Sequence, residues 1–281
     1  MDVTTTLTGI IQNAYIVNKP TDNDYIANDG LYYCGVCREP KQCREMVFGE
    51  LTVLPIPCKC VKEAYAKEEQ RIYQMQLEAK VSGMRVTAFG ANSKYITARF
   101  DTSDGSNESV MNAAKMYCNK FDEFKRDGKG LMLYGECGTG KSFIAACIAN
   151  QLIDKGISVI FTTMSKIANK LQSTFEKREI YDVLREVPLL IIDDFRAERS
   201  TEFMNEVTFE VINGRAETRM PLIVTTNLTA EDIKGEHGIS QERVISRLLG
   251  MCIPIEIKGS DKRREIVKQS YSSDLERLGL R

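Results

Sequence analysis

The sequence predicts an α/β protein in which a five-stranded parallel sheet flanked by helices follows a small cysteine-rich domain. Three observations predict it. From about residue 110 onward, short apolar runs rich in Ile, Val and Leu alternate with helical stretches. Strands buried on both faces, joined by crossover helices, look like this. The segment GECGTGKS, residues 135–142, sits between one such run and a helix. Five of the nine cysteines fall within residues 34–60.

Composition narrows the function classes. A chain of 281 residues hides about three-quarters of its unfolded surface and needs no staples to build a core. No run approaches the roughly 18 apolar residues of a membrane span. Lys and Arg total 38 against 39 Asp and Glu, a net charge of −1. Wrapping duplex DNA by bulk charge is therefore excluded, because that mode needs a basic excess. A single histidine, His237 in the loop-like KGEHGIS, leaves no His-rich metal site and no Ser-His-Asp triad. The first ten residues, MDVTTTLTGI, hold no basic region ahead of an apolar stretch. No secretory leader is expected, and the expected compartment is the reducing cytoplasm, where a cysteine cluster reads as a metal site before disulfides.

Taken in order, residues 1–61 carry the cysteine cluster together with Pro20, Pro40, Pro55 and Pro57 and form the first expected domain. Residues 62–80 lack Gly and Pro and are dense in helix formers, which predicts a charged, solvated helix. Residues 81–108 contain Gly83, Gly90, Gly105 and DTSDGSNES and read as a connector, so 62–109 joins the first domain to a second over 110–281. The predicted strands are LMLY (131–134), ISVIF (157–161), LLII (189–192), LIVTT (222–226) and CIPIEI (252–257). After Lys141, Ile144, Ile148 and Leu152 recur every four residues and Gly156 follows as a stop signal, which predicts a helix. Residues 163–187 read as amphipathic helix whose basic edge, Lys166, Lys170 and Lys177, either contacts single-stranded DNA or is simply wet.

The glycine-rich segment fits G-x-x-x-x-G-K-[ST] at every fixed position. Gly135, Gly138 and Gly140 permit backbone angles that turn successive N–H groups inward. Glu136, Cys137 and Thr139 complete the loop, and the following helix adds its positive end. Lys141 is placed to reach the β- and γ-phosphates of a nucleotide and Ser142 to ligate Mg²⁺. Fifty-two residues on from Lys141, the strand LLII ends in Asp193 and Asp194. Asp193 suits the metal's hydration shell, and Asp194 suits orientation of an attacking water. Asn227, ending the strand LIVTTN, either helps to hold that water or caps the helix that begins in LTAEDI. In QERVISRLLG, Arg243 and Arg247 share one helical face; each reads as an arginine finger for a neighbouring subunit or as a surface residue. Arg263 and Arg264 in GSDKRRE begin the last helix, where one can reach back to the γ-phosphate or both can stay in solvent.

Two residues lie between Cys34 and Cys37, one lies between Cys58 and Cys60, and twenty lie between the pairs. Two such knuckles can close a tetrahedral Zn²⁺ site, with Cys43 as a possible substitute ligand. The other reading is a set of reduced core cysteines. A region with so few apolar residues gains folding energy from a closed metal site, so the zinc is expected to be structural. Tyr32, Tyr33, Arg38, Lys41 and Arg44 lie near the knuckles and can stack and pair with single-stranded DNA. Residues 1–80 nevertheless carry nine Lys and Arg against eleven Asp and Glu, which favours a protein partner.

In this order and spacing, GECGTGKS, LLIIDDF, IVTTN, ERVISRL and GSDKRR resemble the DnaC/DnaI-type helicase loaders and the related IstB-type ATPases of the AAA+ superfamily, over residues 110–270. The cysteine pattern followed by a charged helix is similar to phage- and Firmicute-type loaders. The resemblance implies an AAA+ domain with sheet order 5-1-4-3-2, binding ATP and Mg²⁺. It implies that Lys141 and Ser142 serve the phosphates and metal, Asp193 and Asp194 form the Walker B pair, and Asn227 is the first sensor. Arg247, or alternatively Arg243, matches the arginine finger, and Arg263 the second sensor. The family uses ATP binding and slow hydrolysis as a switch while placing a hexameric replicative helicase on single-stranded DNA, and its N-terminal region contacts the helicase. Self-association through the arginine finger when ATP is bound is implied as well. One departure stands out: most AAA+ motors have Glu where this chain has Asp194, and the shorter side chain implies slow turnover. Two other functions fit the motifs, an IstB-type helper of DNA transposition and a nucleotide-binding adaptor without turnover.

Overall fold

The computed structural model describes residues 21–196, 201–235 and 239–280; His237 and the first twenty residues lie outside these. The chain divides into two compact units, residues 1–79 and 80–281.

In the first unit, β1 (Tyr25–Ile26) pairs antiparallel with β2 (Tyr32–Tyr33), and β3 (Gln42–Val47) with β4 (Glu50–Pro55). Phe48 and Gly49 join the second pair with φ of 50° and 88°. Two positive φ values at a two-residue loop match the right-handed twist of the strands. Little apolar surface is buried here: Leu31, Cys34 and Cys58. Lys41, one of the residues that could have paired with single-stranded DNA, is buried and paired with Asp24 at 2.6 Å. Burial works against the Asp24 carboxylate, but Lys41 and the N–H groups of Thr21 and Gly35 outweigh it and hold its pKa at about 2. Tyr33 and Arg44 are engaged at the surface, donating to the Asp29 carboxylate and carbonyl at 3.0 and 2.5 Å.

Helix α1 spans Lys59–Phe89 and so overruns the expected 62–80 at both ends, passing through Gly83. The supposed connector 81–108 is largely structured. After α1 come two 3₁₀ turns, residues 94–97 and 100–102. Ala88, Phe89 and Ala98 are buried in the core of the second unit, with Tyr95, Ile96 and Phe100 packed against it. The Asn150 amide fastens this strap, donating to the carbonyls of Tyr95 (2.8 Å) and Ala98 (3.0 Å). The glycines and DTSDGSNES conceal these apolar anchors in the sequence.

The second unit continues with α2 (Glu108–Asn119), α3 (Phe121–Arg126), β5 (Gly130–Tyr134), α4 (Lys141–Asp154), β6 (Val159–Thr162), α5 (Met164–Gln172), α6 (Lys177–Glu186) and β7 (Leu189–Phe195). Then follow α7 (Glu202–Thr218), β8 (Leu222–Thr226), α8 (Ala230–Lys234), α9 (Ile239–Met251), β9 (Cys252–Glu256) and α10 (Lys262–Arg277). All five predicted strands form. They make one parallel sheet in the order β6-β7-β8-β5-β9, which is 5-1-4-3-2 when counted from β5. The stretch 163–187 breaks into α5 and α6, and its Lys166 and Lys170 stand beside Glu176 and Glu179 around a cavity of about 440 Å³.

Alternation along the strands distributes the core between two faces. Leu131, Leu133, Leu189, Ile191 and Ile223 meet Ile144, Ile148 and Leu152 of α4. Met132, Leu190, Ile192, Leu222 and Val224 meet the helices of the other face through Ile167, Val211 and Leu248. On that face lies Arg215 of α7, fully buried. Burial pulls its pKa down to about 9. Its guanidinium donates to the carbonyls of Leu184 (3.2 Å), Arg185 (3.1 Å), Val187 (2.7 Å) and Pro221. One side chain thus ties the end of α6 and the entry to β8 to α7.

Truncating Arg215 removes the donor for these carbonyls and leaves a cavity. Arg215→Ala is expected to lower the unfolding free energy by about 3–5 kcal/mol, read from urea denaturation of the full chain.

Candidate functional site

A parallel sheet gathers the C-terminal ends of its strands along one edge, and ligands bind in the crevice outside it. Here β5 runs into the loop 135–140, which runs into α4. The glycines of the loop are required by what lies against them. Gly135 has φ 138°, and a Cβ there would meet the Ile257 carbonyl at 2.4 Å. Gly138 has φ 79°, and its Cβ would strike the Asp261 carboxylate at 2.0 Å. Lys141 opens α4, and its ammonium donates to the carbonyls of Gly135 (2.9 Å) and Glu136 (2.6 Å). Thr139 donates its hydroxyl to Glu136 O at 2.9 Å. Burial pulls the Lys141 pKa below the lysine range, while Cys137, Asp194 and Asp193 oppose it.

Strand β7 brings the two aspartates to the same edge, but its pairing with β8 slips between Ile192 and Phe195. Such a bulge re-aims side chains. Asp193 points inward and is 4% exposed, whereas Asp194, with φ 52°, faces out. Thr225 of β8 holds both: its Oγ1 donates to Asp193 Oδ1 (2.6 Å) and accepts from the Asp194 N–H (2.9 Å). Burial raises the Asp193 pKa, Ser142 and Thr225 oppose the rise, and the Asp194 charge adds to it.

A cavity of about 570 Å³ joins these parts, a size suited to a nucleotide. Its lining includes Cys137, Gly138, Gly140, Lys141, Ser142, Asp194, Asn227 and Arg263. Residues expected at one site from four separate motifs thus share one wall. Asn227 does not cap the next helix: Thr229 does, accepting from Asp232 N at 3.1 Å. Arg264 pairs with Asp261 at 3.4 Å and is absent from the lining. Arg247 and Arg243 are absent too, with the Arg247 guanidinium lying 4.9 Å from the Phe209 ring centre.

Sequence reasoning missed Lys94, Tyr95, Thr97, Ala98 and Thr102, which line the same cavity from the strap. The Tyr95 ring packs against Phe161, tilted by 42° with the ring centres 5.2 Å apart. The signal was there, as an aromatic and apolar set, Tyr95, Ile96 and Phe100, inside a supposed linker. Lys262 was missed as well. Its N–H donates to Gly138 O at 3.2 Å and its side chain lines the cavity.

In the first unit, one ligand atom from each of Cys34, Cys37, Cys58 and Cys60 lies within 4.8 Å of the others. A tetrahedral thiolate site has edges of about 3.8 Å, so small adjustments suffice to close it. Backbone N–H groups of Cys60 and Glu39 hold the Cys37 pKa at about 6, while the hydrogen bond with Cys37 pushes Cys60 up to about 12 and burial raises Cys58, so the metal-free cluster keeps one thiolate among its thiols. Cys43, opposite Leu54 in the hairpin, is outside this group.

Thr225→Val keeps the strand but strips both aspartates of their shared partner. Stability is expected to fall by about 1–3 kcal/mol, with Thr225→Ser close to wild type; thermal denaturation of the three chains checks this.

Comparison with known proteins follows the same lines. A family model described as IstB-like ATP binding protein matches residues 76–270. The replicative helicase loader DnaI of Bacillus subtilis is 24% identical over 251 residues, covering 82% of this chain and 78% of that protein. The replicative helicase loader DnaC of Escherichia coli is 24% identical over 217 residues, covering 75% and 84%. The crystal structure of the DnaI superposes with a TM-score of 0.54 at 21% identity, over 63% of this chain and 98% of that one. For the crystal structure of the DnaC helicase loader the values are 0.52, 23%, 59% and 100%. These two structural likenesses speak for the fold. The family model spans more than half of the sequence and includes the loop, both aspartates, Asn227 and Arg263, so this chain belongs to the IstB-like ATP-binding protein family.

Proposed function

We propose that this protein is an ATP-dependent loader that binds a hexameric replicative helicase and delivers it to single-stranded DNA, with ATP binding and slow hydrolysis as the switch. The observation that carries the ATP part is the single cavity lined by the phosphate loop, Asp194, Asn227 and Arg263. Its relatives named replicative helicase loaders support the helicase part. The match to the Bacillus subtilis protein is long enough to reach into the N-terminal unit, a span that favours the loader over a transposition helper.

Loop N–H groups and Lys141 take the phosphates, with Lys141 giving up carbonyls for anionic oxygens. Ser142 and Asp193 form a hard-oxygen set that suits Mg²⁺, which supplies charge neutralisation at the phosphates. Asp194 and Asn227, both on the cavity wall, orient the attacking water, and Asp194 accepts its proton. Arg263, which lines the cavity from α10, is the residue that would take the γ-phosphate. Arg247 and Arg243 do not line their own cavity, so a finger role places one of them at the site of a second copy. Cys34, Cys37, Cys58 and Cys60 hold a structural Zn²⁺, because four soft ligands close the coordination shell. The first unit is the helicase-binding module. Its hairpin tip supports this role: Met46, Phe48, Leu51 and Val53 are all exposed, Phe48 completely. Among the described residues no helix is long and apolar enough to cross a membrane.

Three outcomes are expected. ATP turnover is slow, falls at least 100-fold in Lys141→Ala and in Asp194→Asn, and partly returns when Arg247→Ala is mixed with Lys141→Ala. Return is expected because each variant supplies what the other lacks. Unwinding by the host helicase on closed single-stranded circles requires this chain and ATP; unwinding that is indifferent to the chain contradicts the loader. Elemental analysis finds one zinc per chain, retained in Cys43→Ser and lost in Cys58→Ser.

A further inference from the structure

Lys262 and Arg263 stand in the first turn of α10, at the helix end where the backbone dipole disfavours cations. An anion has to compensate them. For Lys262 that anion is Asp104, from the segment between the strap and α2. The ammonium meets both carboxylate oxygens, Oδ1 at 2.9 Å and Oδ2 at 2.8 Å, and also donates to Ser106 Oγ. Asp104 is itself held in place by the Ser106 N–H (3.0 Å) and hydroxyl (2.6 Å). The Lys262 ammonium and these hydrogen bonds keep the Asp104 carboxyl well below the usual carboxylate range.

This ion pair sits on the nucleotide cavity. Lys262 lines it beside Lys141 and Arg263. A Cβ on Gly140 would be 3.7 Å from the Lys262 ammonium, and the Lys262 N–H is fastened to Gly138 O. The ammonium therefore lies against the loop that takes phosphates, while its counter-ion belongs to a different segment. The side chains of Lys262 and Asp104 are 30% and 55% exposed, so the pair is solvated enough to exchange partners.

We propose that Lys262 is a positioning residue whose ammonium is contested between Asp104 and the terminal phosphate of a bound nucleoside triphosphate, so that Asp104 sets the preference between triphosphate and diphosphate. This rests on reading the cavity as the ATP site. A diphosphate leaves the ammonium to Asp104. A triphosphate draws it away and uncouples residues 104–106 from α10. The contact between the strap side and the last helix thereby depends on which nucleotide is bound.

The test is calorimetric titration of the full-length chain with Mg²⁺ and either a slowly hydrolysed ATP analogue or ADP. Asp104→Asn, which removes the competitor, is expected to raise the triphosphate-to-diphosphate affinity ratio about fivefold. Lys262→Met is expected to lower that ratio, and Asp104→Asn is expected to have no further effect in the Lys262→Met background. Thermal midpoints of all four chains identify any loss that is only structural. Equal weakening of both nucleotides by Asp104→Asn, or additive effects of the two substitutions on the ratio, overturns the proposal while leaving the ATP site intact. Absence of Lys141-dependent nucleotide binding in the wild-type chain removes the ATP reading, and this proposal with it.

Discussion

Asp193 is a carboxylate buried at the C-terminal end of a strand in a parallel sheet, and hydroxyls of Thr225 and Ser142 offset the cost of burying it. Desolvation penalises its charge. Thr225 answers that penalty from the neighbouring strand, and can do so only if β7 and β8 keep their register. The same hydroxyl accepts the Asp194 N–H, so the bulge that turns Asp194 outward and the hydrogen bond that steadies Asp193 are one device. The two acids differ in burial although they are adjacent in sequence, and this difference suits the proposed division of labour, with one at a metal and the other at a water.

Around that centre the cavity has two walls of different origin. One is made by strand ends and the phosphate loop, whose glycines are pressed by Ile257 and Asp261 from the segment leading into α10. The other is the strap of residues 94–102, fixed by Asn150 and by the packing of the Tyr95 ring against Phe161. Both the strap and the last helix therefore line the cavity. A loader that works as a switch needs such connections, since a nucleotide can shift an equilibrium only through contacts that differ between states.

Legibility in the sequence followed the strength of the local constraint. The five strands were readable because burial on both faces imposes nearly unbroken apolar runs, as in LLII and LIVTT. The phosphate loop was readable because its backbone angles demand glycine at fixed spacing. Strand order was not readable from periodicity and entered through family resemblance. The strap escaped notice because its anchors, Tyr95, Ala98 and Phe100, are spaced by 3₁₀ turns among turn-forming residues, a pattern with no simple period. Thr225 and Lys262 act through partners 32 and 158 residues away, and Arg215 through three carbonyls 28 to 31 residues away as well as Pro221, and no periodic pattern marks them. Lys41 shows the opposite error: a lysine near cysteine knuckles reads as a surface cation, and only the fold reveals Asp24 beside it.

The central claim is that this chain engages a replicative helicase under the control of its nucleotide. Native mass spectrometry of the purified chain mixed with the host's replicative helicase, with a slowly hydrolysed ATP analogue and with ADP, addresses it directly. The account predicts a stoichiometric complex with the helicase hexamer, zinc-loaded, whose population differs between the two nucleotides. Zinc- and nucleotide-bound chain that forms no helicase complex under either condition contradicts it.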